Sequence, residues 1–192
     1  MFLLDAENLK DAKLTLSLIF FNIIGYFIFN IALPLDYLLF FAQINRKILY
    51  NLEIWRLLTP IFLHSDIIHL FSNMFALLIF GATIEITLKI SKIQYLLIYF
   101  TSGLIGNIFS LFFLPLDSVS LGASGAVFGL IGVVFFMIST EERSLLPFTL
   151  IYILYFITAS FLPGINIWAH IFGLLAGLLL AYFFYYRKSL LP

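Results

Sequence analysis

LGASGAVFGL, residues 121 to 130, sets Ser124 between two glycines at the head of a run that stays apolar to about residue 140. Such a run can be a buried core helix or a membrane span, and the rest of the chain decides between them. Of 192 residues, 63% are apolar, 24 are phenylalanine and only 10% are charged, far from the balance of a soluble domain. An apolar run of about twenty residues follows residue 13, long enough to cross ~30 Å of hydrocarbon. It is longer than a signal-peptide core and lacks a small-residue cleavage site, so it is expected to remain as a first span. Further spans are expected near 67–88, 93–114, 124–140, 145–162 and 166–186, bounded by charges, Pro or Gly. The predicted fold class is therefore an all-α polytopic membrane protein with six transmembrane helices in one domain, 14–186. It is flanked by a short segment 1–13 and a tail 187–192. No β-barrel alternation, internal repeat or linker is visible.

Charge narrows the function classes. Ten basic and ten acidic residues cancel, so no electrostatic footprint for nucleic acid exists. No cysteine is present, which removes thiolate nucleophiles and Cys-based metal sites; no metal or other cofactor is expected. With the N-terminus cytoplasmic, Lys10, Lys13, Lys89, Lys92, Arg143, Arg187 and Lys188 fall inside and only Arg46, Lys47 and Arg56 outside, which predicts both termini cytoplasmic. Those three lie in one long outer loop, 34–64, whose mixture of aromatics and scattered charge suits the interface.

Three polar residues on different spans fall at one depth. Ser124 lies 17 residues before Glu141, His170 17 before Arg187 and Asn73 16 before Lys89, so each sits ~25 Å above the inner boundary. Polar groups on different helices at one level are the expected mark of an intramembrane site reached by water through a cavity. Singly, each has a plainer role: Ser124 with Gly122, Gly125 and Gly129 suits close helix packing, Asn73 an interhelical hydrogen bond, and His170 beside Trp168 the headgroup level. His64 and His69 open the second span, and His69 and Asn73, four apart, project from one side. Gly173 and Gly177 lie about 60° and 20° from His170 around its helix, so the histidine's face also admits a close neighbour.

Taken together these parts describe acyl transfer. A serine hydroxyl needs a base, and neutral imidazole suits the task. His170 is the predicted base for Ser124. The oxyanion would take donors from the Ser124 backbone N–H, Asn73 and His69. No carboxylate lies near this depth on the fourth or sixth helix, so the prediction is a Ser-His dyad without a third acid. Asp66 reads as the N-cap of the second span and Asp117 as a solvated loop residue. GASGA does not follow G-x-S-x-G and no strand precedes it, which argues against an α/β-hydrolase.

Over nearly the whole chain after residue 50 the sequence resembles the rhomboid family of intramembrane serine proteases. The motifs that carry the resemblance are WRLLTPIFLHSDIIHLFSN, GATIE, GASGAVFG and AHIFGLLAGLLLA. It implies Ser124 as nucleophile, His170 as base, His69 and Asn73 in the oxyanion hole, His64 in a supporting place, and Trp55 and Arg56 in an outer loop that braces the site. On their own, Trp55 reads as an interface anchor and Arg56 as a snorkelling cation. Glu85 reads as a structural hydrogen-bonding group. One departure stands out: where family members often carry a tyrosine stacked on the catalytic histidine, this chain has Phe128, which keeps the aromatic face and loses the phenol.

The resemblance implies the minimal six-helix prokaryotic type, in the cell membrane. Its partners would be the bilayer and transmembrane segments of substrate proteins, unwound near their outer ends so that an amide reaches Ser124. The fifth helix is a plausible lateral gate. Rival readings are a rhomboid-like protein that binds membrane helices without cutting, and a small transporter using the histidines as relays. The first usually lacks the serine or histidine; the second would show more intramembrane carboxylates and paired halves. The sequence carries no signal of oligomeric state.

Overall fold

The computed structural model of the protein describes residues 8–87, 90–141, 143–162 and 164–186. Residues 1–7, the tail 187–192, and Lys89, Arg187 and Lys188 of the charge count lie outside the described residues. The chain forms α1 (Lys13–Tyr26), α2 (Leu35–Phe41), β1 (Gln43–Ile44), α3 (Asn45–Asn51), α4 (Ile67–Ala76), α5 (Ala82–Thr87), α6 (Lys92–Phe113), β2 (Val119–Ser120), α7 (Ser124–Glu141), α8 (Leu146–Ala159) and α9 (Ile167–Ala181). A widened turn, Leu77–Gly81, joins α4 to α5, and α1 continues through another, Phe27–Ala32. Among the described residues five helices are long and apolar enough to cross a bilayer: Lys13–Ala32, Ile67–Thr87, Lys92–Phe113, Ser124–Glu141 and Ile167–Phe184. The protein is an integral membrane protein built as an all-α bundle.

The expected fifth span is the one that differs. Its apolar helix, Arg143–Ala159, is shorter than the other five. Pro147 favours a helix start and so sets the first turn of α8, and the chain turns away at Ser160. Among the residues of α8 only Thr149 is buried. The helix thus lies at the edge of the bundle.

At the centre stand α6, α7 and α9, which pack on one another more extensively than any other elements. Two-thirds of α7 is buried, against 17% of an 18-residue stretch of the first span, Lys13–Ala32. Without a hydrophobic force between helices in lipid, close packing must supply the attraction, and glycine permits it. A Cβ on Gly173 would strike the Gly125 carbonyl, one on Gly177 the Gly129 carbonyl, and one on Gly132 would sit 2.6 Å from the Leu174 carbonyl oxygen. The α7 and α9 backbones therefore touch along the face that carries His170.

Helix ends are satisfied by side chains. Asp66 Oδ1 accepts from the His69 amide at 2.9 Å, as expected for the N-cap of α4. Ser91 and Gln94 form a reciprocal capping box on α6, and Asn166 Oδ1 caps α9 through the Ala169 amide at 3.1 Å. Glu85, at the end of α5, caps a different helix: its carboxylate accepts the Leu14 and Thr15 amides at 2.8 Å each. It thereby fastens the start of α1 to the second span.

The outer loop 34–64 holds two short helices, α2 and α3, neither long enough to span, and it is stitched to the segment preceding Ser124. β1 pairs antiparallel with β2, Gln43 opposite Ser120 and Ile44 opposite Val119. Arg46 holds Asp117 in a fork of 2.6 and 2.9 Å. Asp117 is the exposed loop residue expected, and it is also ion-paired, which the sequence did not show; partners 71 positions apart leave no local pattern to read. The hydrogen bond from Arg46 pushes the Asp117 carboxyl below its usual range.

Arg56 is not a snorkelling cation. It is 3% exposed; Nη1 donates to the Leu39 and Ala42 carbonyls at 2.6 and 2.7 Å, and Nε to Glu53 at 2.6 Å. Trp55 stacks on Phe40 with ring centroids 5.5 Å apart. The pair knits the outer loop to itself. Arg56→Ala strands two carbonyls and a part-buried carboxylate, and the expected loss is about 3 kcal/mol of unfolding free energy. A lysine restores only part of it, since an ammonium lacks the fork. Denaturant titration of the three proteins tests this; an alanine variant as stable as the parent would contradict it.

Candidate active site

Ser124 opens α7, so its amide N–H has no acceptor within the helix. His170 lies in the first turn of α9, set by the Asn166 cap, and is 7% exposed. Both line one cavity of about 830 Å³, together with Asn73, His69, Phe128, Phe156 and Asn166. Three helices thus bring their polar residues into one space, as the depth count predicts.

The imidazole of His170 is held on two sides. Phe128, one turn after Ser124, stacks on it with centroids 4.1 Å apart and planes 11° apart, so the aromatic face persists without the phenol. Ser160 Oγ meets Nδ1 at 2.7 Å. Sequence reasoning missed this second partner. The sequence offers no carboxylate behind the base, and the group that meets Nδ1 is the Ser160 hydroxyl. Ser160 sits ten residues before His170, across the α8–α9 turn, a spacing with no periodicity to betray it, and in sequence it does not stand apart from the neighbouring Thr158.

His69 and Asn73 lie beside Gly122. That glycine has φ +134, open to glycine but strained for other residues, and a Cβ there would meet His69 Cε1 and Nε2 at 2.8 Å and Asn73 Nδ2 at 3.8 Å. Its amide donates to the Pro60 carbonyl at 2.9 Å, so the outer loop also sets the turn leading to Ser124. Asn73 spends one amide proton on the His69 carbonyl at 3.0 Å and keeps the other. Ser65 Oγ donates to Asp66 at 2.7 Å and lies 3.0 Å from His69 Nδ1, from which it can only accept. The ring of His69 is thereby oriented with Nε2 toward Gly122. Gly125 sits against Ala169, 3.4 Å from its carbonyl oxygen to the position of an added Cβ.

His64 is fully buried, edge-on to His69 with centroids 5.1 Å apart, and neither of its ring nitrogens has a hydrogen-bond partner among the described residues. Burial first, and then the neighbouring His69 ring, push its imidazole down to about 3 from an ordinary 6.5; Asp66 opposes weakly. Between pH 6.5 and 3 the unfolded chain takes a proton there that the folded chain refuses, so stability falls with pH, by about 1.4 kcal/mol per unit. The expected loss between pH 7 and 5 is about 2 kcal/mol, and His64→Leu removes it. Unfolding titrations at both pH values measure this; an undiminished difference in the variant would assign the slope to other groups.

A membrane bundle whose serine and histidine line one cavity at the head of two glycine-packed helices defines a class of polytopic intramembrane protein. The Rhomboid domain matches residues 51–187, more than half of the chain. The chain belongs to the rhomboid family. It is similar to "Putative rhomboid protease YdcA" of Bacillus subtilis (strain 168), 40% identical over 146 residues covering 72% of this chain and 71% of that protein. It is also similar to "RHOMBOID-like protein 6, mitochondrial" of Arabidopsis thaliana, 39% identical over 71% of this chain and 46% of the relative. A third relative, "Rhomboid-like protease 3" of Toxoplasma gondii, is 33% identical over 73% of this chain and 54% of its own length. The chain thus spans most of the bacterial relative and about half of the two eukaryotic ones.

Proposed function

We propose that this protein is an intramembrane serine endopeptidase that cleaves transmembrane segments of other membrane proteins, with Ser124 as nucleophile and His170 as general base. The observation that carries the reading is the shared cavity: a hydroxyl at a helix N-terminus and an imidazole clamped by Phe128 and Ser160 open onto one space. His170 takes the Ser124 proton as Oγ bonds to the substrate carbonyl carbon. The resulting oxyanion is met by the Ser124 amide and the free Asn73 Nδ2–H; His69 stands alongside and adds an Nε2–H donor only as an imidazolium, since Ser65 holds the proton of the neutral ring on Nδ1. His170 then protonates the leaving amine as the C–N bond breaks, and water releases the acyl group by the reverse sequence. Trp55 and Arg56, with His64, Gly122 and Gly125, serve this site by holding the outer loop and the turn before α7. We place the protein in a prokaryotic cell membrane with both termini cytoplasmic, in accord with the lysine and arginine count.

A fluorophosphonate probe tests the reading. One adduct at Ser124, lost in His170→Ala, is expected; no adduct would leave a helix-binding relative without hydrolysis, and labelling unaffected by that substitution would count against His170 as the base. Asn73→Ala is expected to lower kcat about 10²- to 10³-fold with little change in KM, since its donor acts on the oxyanion. Steady-state kinetics on a transmembrane peptide would show it, and an unchanged kcat would move the oxyanion elsewhere.

A further inference from the structure

Hydroxyl groups that bond back to the carbonyl four residues earlier are common in membrane helices and signal nothing alone. Thr149 on Leu145, at 3.1 Å, and Thr158 on Leu154 do so in α8. Ser160 does the same on Phe156 at 2.8 Å, but its oxygen has a second partner, His170 Nδ1, at 2.7 Å. Both serine and histidine are buried, at 2% and 7% exposure.

The geometry points to Ser160 as a positioning residue that selects the tautomer of His170, leaving the Nε2 lone pair free to take the Ser124 proton. One hydroxyl proton must serve two neighbours. The Phe156 carbonyl can only accept, so it takes the Ser160 proton, and the oxygen's lone pair then accepts from Nδ1–H. The reverse assignment would turn two lone pairs toward each other at 2.8 Å in a buried place, leaving the carbonyl contact unmade. With its single proton on Nδ1, neutral His170 offers its other nitrogen as base. Phe128, flat on the ring, permits rotation only within its plane, and a ring flip would put a carbon in place of Nδ1. When His170 becomes imidazolium, Ser160 still accepts from Nδ1 and supports the charge. A hydroxyl carries no charge of its own, so its contribution is smaller than that of a carboxylate behind a catalytic histidine.

This inference rests on the protease reading for its effect on rate, but not for its effect on the ring, and the experiment separates the two. The full-length protein, labelled with ¹⁵N-histidine in nanodiscs, is compared with Ser160→Ala, Ser160→Thr and Thr158→Ala, with His170 resonances assigned by difference against His170→Gln. The expected result is a protonated Nδ1 and bare Nε2 at His170 in the parent and in Thr158→Ala, a shift toward the Nε2–H tautomer in Ser160→Ala, and recovery in Ser160→Thr. In parallel, kcat on a transmembrane substrate falls about five- to tenfold in Ser160→Ala with KM unchanged, and threonine restores most of it. Should the alanine variant fail to fold, Ser160→Cys keeps the volume with a weak sulfur acceptor and reads the same way. A parent ring protonated on Nε2, a ring spectrum indifferent to Ser160, or an unchanged kcat in an active enzyme would overturn the proposal. An inactive parent with the expected tautomer would fell the protease reading and leave the Ser160 contact standing.

Discussion

Ser124→Ala should abolish cleavage of a fluorescent transmembrane substrate in liposomes, a loss of about 10⁵- to 10⁶-fold in kcat, or about 7 to 8 kcal/mol of transition-state stabilisation. The size follows from the role proposed for the hydroxyl. Without it no covalent intermediate forms, and water must attack the amide directly in a cavity shaped for a side chain. His170→Ala should cost about as much, because a base without its nucleophile and a nucleophile without its base are equally idle; the double variant should be hardly worse than either. The proposed oxyanion donors, Ser124 N–H and Asn73, survive both substitutions, so substrate affinity should change little. Equal turnover by parent and Ser124→Ala, or simple additivity of the two losses, would end the dyad mechanism.

The second large effect is structural. Gly177→Ala should lower unfolding free energy by about 3 kcal/mol and reduce activity with it. The added methyl would meet the Gly129 carbonyl, with the carbonyl carbon 2.6 Å and the Gly129 Cα 2.7 Å away. Those atoms are backbone of the most buried helix, with no rotamer to yield, so α9 must move away from α7. That movement also separates His170 from Ser124, since each is carried on one of the two helices. Leu175→Ala, on the same helix but 46% exposed, is the comparison and should cost far less. Steric or denaturant unfolding measures both; equal stabilities would mean that the two backbones are not in contact in the membrane.

How much could be read from residues alone depended on whether the cause was local. The apolar runs announced the helices because a span needs ~20 apolar residues whatever its neighbours do. The limits near 67–88, 93–114 and 124–140 fall within a residue or so of Ile67–Thr87, Lys92–Phe113 and Ser124–Glu141. Asp66 was legible as a cap because capping acts within three residues, and the glycines of α7 and α9 as packing faces because a helix repeats every 3.6. The end of α8 was less legible. Its apolar stretch runs on through Phe161 and Leu162, yet the helix stops at Ala159, because the turn into α9 needs those residues.

Long-range pairings had no signature at all. Arg46 with Asp117, β1 with β2, Glu85 with the start of α1 and Ser160 with His170 each join residues whose neighbours in sequence say nothing of the partner. Arg56 shows the limit clearly. Its residue type and place in an aromatic loop suit a cation at the headgroups, and only the folding back of Leu39–Ala42 over it makes it a buried clamp.

Hydrophobicity, glycine spacing and depth along each helix, all properties of single segments, determine from the sequence that this chain is a membrane bundle and which polar residues share a level, while its motifs carry the resemblance to the rhomboid family. Tertiary structure decides what those residues meet: which nitrogen of His170 is occupied, what ring covers it, and which loop holds the turn before Ser124. Each such contact depends on the mutual placement of two helices or loops, a quantity that no one stretch of chain contains.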